Sequence, residues 1–107
     1  MTAQTHIRIL STPETTYYQG VLMPAGAALL TDILAITRHA ILMGIMTTDQ
    51  AFRVRVHAVG RYGFLSNMDI AVNTLCSILS ECAAPGYEFT AWIIDGSRFW
   101  GWFPRTG

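Results

Sequence analysis

Six aromatic rings fall between Glu88 and Phe103, and the turn signal Asp95-Gly96-Ser97 divides this stretch into two strands, 88–94 and 98–103. Successive side chains of a strand point to opposite faces of a sheet. One face of the hairpin therefore receives Phe89, Ala91, Ile93, Trp100 and Trp102, and the other receives Trp92, Ile94, Phe99 and Phe103. A sheet with one face in water alternates apolar with polar residues; this hairpin is apolar on both. Any fold the chain adopts has to cover both sides of it. Two turn registers fit the residues. An Asp-Gly loop pairs Ile94 with Ser97, whereas a Gly-Ser loop pairs Asp95 with Arg98. The second is preferred, because it sets opposite charges across the strands.

Upstream, residues 6–10 alternate weakly and read as a short strand, Ser11-Thr12-Pro13-Glu14-Thr15 reads as a turn, and residues 16–22 read as a returning strand. A helix over about 26–44 opens at Pro24-Ala25-Gly26. Leu30, Ile33, Leu34, Thr37, Ile41 and Ile45 share one side of it, but Leu29, Ile36 and Met43 make the opposite side apolar too, so this helix expects cover on more than one side. Residues 52–59 alternate with period two: Phe52, Val54, Val56 and Ala58 inward, Arg53, Arg55 and His57 outward. That pattern predicts a strand. Gly60-Arg61-Tyr62-Gly63 reads as a turn. A last helix starts with Ser66 as N-cap and Asp69 three residues on; it buries Met68, Ala71, Val72, Leu75, Leu79 and Cys82 and stops at Pro85-Gly86. The expectation is one α+β domain spanning 1–107. It has two layers, a mixed or antiparallel sheet of about five strands with two helices on one face, in the order β-β-α-β-α-β-β.

Composition narrows the function classes. The 107 residues are 51% hydrophobic and 13% charged, the reverse of the balance that keeps a chain disordered. Seven basic residues, all arginine, meet seven acidic ones, so no overall field recruits nucleic acid or anionic lipid. No signal peptide is visible at the N-terminus. The apolar stretch from Ala25 to Met46 contains Asp32, Arg38 and His39; Asp or Arg at a bilayer centre costs about 3 kcal/mol each, so a membrane span is not expected. Cys76 and Cys82, six apart on one helix, point in different directions and cannot bridge. Two reduced thiols fit the cytoplasm.

The search for chemistry returns little. His6, His39 and His57 are isolated, without a metal-ligand spacing; no nucleophile elbow and no phosphate-binding loop occur. Neither a metal, a cofactor nor a catalytic set is expected. Asp32 and His39 share a helix side seven residues apart, too far for a direct hydrogen bond. Arg53, Arg55, His57 and Arg61, with Tyr62, form the one local basic row, which on an exposed strand could meet phosphates.

Gly60-Arg61-Tyr62-Gly63-Phe64-Leu65-Ser66-Asn67 resembles the first ribonucleoprotein motif of RNA-recognition domains through Tyr62, Gly63, Phe64 and Leu65. Gly60 and Arg61 stand in swapped order, and Asn67 stands where an aromatic is expected. Tyr17-Tyr18-Gln19-Gly20-Val21-Leu22 resembles the second motif through Tyr18, Gly20 and Leu22. The resemblance implies a sheet on which Tyr18, Tyr62 and Phe64 stack on bases. The apolar first helix, the zero net charge and a motif running straight into a helix weigh against it, and no family assignment follows.

Three function classes remain. The preferred one is a non-catalytic protein-binding module that self-associates or docks on a larger protein as inhibitor or regulator, through Trp92, Arg98, Phe99, Trp100, Trp102 and Phe103. The second is an RNA- or DNA-binding module using Arg53, Arg55, His57, Arg61 and Tyr62. The third is a small dimeric enzyme with His39 or His57 as acid/base.

Overall fold

A computed structural model describes residues 7–11, 16–60 and 66–106. The chain divides into two compact units, residues up to Ala25 together with those from Ser80 onward, and Gly26–Leu79.

The first unit is a four-stranded antiparallel sheet. Its strands are β1 (Ile7–Ser11), β2 (Thr16–Pro24), β3 (Tyr87–Ile94) and β4 (Ser97–Pro104), in the order β1-β2-β4-β3. The hairpin β3–β4 adopts the Asp-Gly loop, with Ile94 opposite Ser97 and Phe89 opposite Trp102. The preferred Gly-Ser register is thereby corrected. Asp95 and Gly96 both take positive φ, 52° and 83°, as a type I′ turn requires, and that turn matches the right-handed twist of its strands. An exposed Asp95–Arg98 pair is worth at most about 1 kcal/mol, too little to impose the other loop. The two registers differ by a whole side-chain period, so the residues sharing each face are unchanged.

β2 and β4 approach closely. Gly20 lies opposite Trp102 and Val21 opposite Gly101; the register then shifts between Val21 and Met23, before the Ala25 N–H donates to the Arg98 carbonyl at 2.9 Å. A Cβ on Gly101 would collide with the Gly20 carbonyl oxygen and stand 2.9 Å from the Val21 Cα. Residues 82–84 join the other edge of Tyr18: the Tyr18 N–H donates to Cys82 O (2.8 Å) and the Ala84 N–H to Tyr18 O (2.9 Å).

The second unit is helical: α1 (Leu29–Leu42), α2 (Thr48–Val59) and α3 (Met68–Ser80), the last reaching one residue into the sheet unit. Among the described residues the architecture is therefore α+β with four strands and three helices, not about five and two. The difference lies at 52–59, where the expected strand is the body of α2. A reciprocal cap starts this helix. The Gln50 N–H donates to Thr47 Oγ1 at 3.1 Å and the Thr47 N–H to Gln50 Oε1 at 2.9 Å. Ala51, Val54 and Ala58, spaced three and four apart, are the buried residues, whereas Phe52 is 54% exposed. α1 and α2 pack against each other.

α1 begins at Leu29 rather than 26. The buried Asp32 carboxylate accepts the Gly26 N–H through both oxygens, at 2.9 and 3.0 Å, and so draws Gly26–Ala28 back over the first turn instead of letting them extend the helix. At α3 the cap is Asn67, not Ser66: Asn67 Oδ1 accepts the Ile70 N–H at 3.1 Å, and the Asn67 N–H donates to His57 O at 2.7 Å. Most of the two turns expected at 11–15 and 60–63 lies outside the described residues.

Candidate interaction surfaces

The hairpin rings lie on both faces of the sheet, and the single chain encloses nearly all of them. On one face Tyr18 stacks on Trp102 with centroids 5.0 Å apart, Phe89 meets Trp102 edge-on at 5.1 Å, and Phe89 lies parallel to Trp100 at 6.1 Å. On the other face Val21, Phe99 and Phe103 form a buried cluster with Ile94 against it, and Trp92 meets Phe103 edge-on at 4.9 Å. Phe89, Phe99, Trp100, Trp102 and Phe103 are all buried. Each full ring removes about 150–250 Å² from water, so these rings act as core. Phe99, Trp100, Trp102 and Phe103 are accordingly not surface residues, and no second chain is needed to cover them. What stays outside is Trp92 at 39% exposure and Ile93 at 64%, with exposed Arg98 directly across from Ile93.

Among the described residues, Arg53, Arg55 and His57 do not line up in one row. On α2, Arg53 and His57 stand one turn apart, while Arg55 is rotated by about 200° from each of them. Arg61 and Tyr62 lie outside the described residues. Tyr18, which the ribonucleoprotein resemblance would set against bases, is buried on Trp102.

Of the two histidines considered as acid/base, His39 on α1 is exposed and His57 on α2 is half-buried. Asp32, on the same helix as His39, is buried and bonded to Gly26. Among the described residues no group of three or more His, Cys, Asp or Glu could hold a metal ion. Neither Cys76 nor Cys82 is in a disulfide. Burial pushes the Cys82 thiol pKa up, against the opposing pull of its own backbone and the Trp102 indole, and burial with the nearby Cys82 raises that of Tyr18. A thiol so held is a poor nucleophile.

A feature absent from the sequence reading lies between α1 and α2. A cleft of about 620 Å³ has Leu34, Ile41, Ala51 and Phe52 along it and Arg38 and Arg55 contributed by its two helices. A strand over 52–59 would form no such cleft. The Thr47–Gln50 cap and the apolar flank of α1 were the signals available.

Compared with known proteins, the chain matches no family model, no curated protein and no solved structure. Among the described residues no helix is long and apolar enough to cross a membrane.

Proposed function

We propose that the chain is a non-catalytic protein-binding module of the cytoplasm, working by self-association or by docking on a larger protein as its regulator. The observation that supports this reading is the turn end of the hairpin. After five rings have been enclosed, Ile93 stays exposed at the turn end of β3 across from Arg98, and Trp92 stays 39% exposed on the opposite face of the same end; Trp and Arg are residues that dominate binding hot spots. The enclosed rings then serve as the rigid base from which this tip projects. Two cysteines outside any disulfide fit the compartment.

Self-association is the first version to test, since two-fold pairing is the commonest way to cover such a tip. Light scattering at micromolar concentration is expected to give twice the monomer mass for the native chain. The monomer mass is expected for the pair Trp92→Ser and Ile93→Ser, with an unchanged circular dichroism spectrum. A native chain that stays monomeric removes the self-association version; a double variant that still pairs removes the tip.

A further inference from the structure

The α1–α2 cleft shares no lining residue with the hairpin tip and carries an inference of its own. Its apolar part is open to water: Phe52 is 54% exposed and Ile41 is also exposed. Small-molecule pockets bury about 70–90% of their ligand, and a small ligand lying along Ile41 and Phe52 would stay half in solvent. The apolar surface also continues. A second hollow of about 140 Å³, lined by Phe52, Arg55, Val56 and Val59, shares two residues with the main cleft. Together they follow the 12 residues of α2, which at about 1.5 Å per residue is three helical turns, the reach of a helix that anchors through positions i, i+3, i+4 and i+7.

Charge then selects the partner. Arg38 comes from α1 and Arg55 from α2, both are exposed, and neither has a carboxylate partner among the described residues. A second copy of this chain packed two-fold on the cleft would bring four guanidinium groups together, which disfavours self-pairing here. A carboxylate, in contrast, can take the paired N–H groups of either arginine. We infer that the α1–α2 cleft binds an amphipathic helix of another protein, its apolar face on Leu34, Ile41 and Phe52 and its acidic flanks on Arg38 and Arg55.

Fluorescence anisotropy on the full chain tests this with three labelled synthetic peptides of about four helical turns. One carries leucines at the anchor positions and glutamates on the flanks, the second has lysine for every glutamate, and the third is the first interrupted by proline. The acidic helix is expected to bind, more weakly as salt rises, and the other two at least about tenfold more weakly. Arg38→Glu with Arg55→Glu, both at exposed positions, is expected to reverse the preference toward the lysine peptide, and Phe52→Ser to weaken both. Equal binding of the acidic and basic helices, no reversal in the charge-swapped variant, or displacement of the peptide by decanoate at equal concentration would overturn the inference. A dimer that dissociates on Phe52→Ser would overturn it in favour of a second copy. None of these variants alters a residue of the hairpin tip, so the two surfaces stand or fall separately.

Discussion

At Gly101 the chain has no side chain because β2 leaves no room for one: a Cβ there meets the Gly20 carbonyl oxygen, a rigid backbone atom that cannot swing aside. The close approach sits between Trp100 and Trp102, so separating β2 from β4 would also loosen the ring clusters on both faces. Gly101→Ala is expected to destabilise the fold by about 3 kcal/mol, the upper end for overpacking, read as a lowered urea midpoint. Asp32 is a second residue whose role is local. Its carboxylate takes the Gly26 N–H through both oxygens, and Asp32→Ala removes that acceptor. A loss of about 1–3 kcal/mol is expected, and an unchanged melting temperature would show that Asp32 does not secure the start of α1.

Among the elements, β2, α1, α3 and the hairpin strands were legible in the residues because apolar spacing and turn chemistry agree there. α2 was not. Phe52, Val54, Val56 and Ala58 form a period-two row, but Ala51, Val54 and Ala58 form an equally good helical stripe, and only the second includes all the residues that are buried. The cap Thr47–Gln50 decides between them, since it satisfies two backbone N–H groups at once. Thr47→Ala should therefore cost about 1 kcal/mol, measured by thermal denaturation; no change would mean that packing alone holds α2. The candidate sites followed the same pattern. Which rings share a face was readable from alternation, but how much of each ring the chain itself covers depends on pairing with β2, which no local pattern specifies.

For the molecule as a whole, ionisation adds a dependence on alkaline pH. Cys82, and with it Tyr18, ionises less readily in the folded chain. Unfolding exposes the thiol to its ordinary value of 9.0, so the unfolded state releases its proton first. The stability held at neutral pH is then lost as pH rises through that value toward the higher folded one. Melting temperature should fall above about pH 9, and Cys82→Ala should flatten that fall; a parallel decline in both proteins would place the cause elsewhere. One copy of the chain encloses five of the hairpin rings, and the exposed tip is proposed to meet a partner. Acrylamide quenching of tryptophan emission across a dilution series tests this most directly. Trp100 and Trp102 are predicted to stay shielded at every concentration, while the Trp92 contribution, identified by its loss in Trp92→Phe, is quenched in dilute solution and protected as the protein associates. Equal quenching of all three tryptophans on dilution would contradict the account, because the core rings would then owe their cover to another molecule.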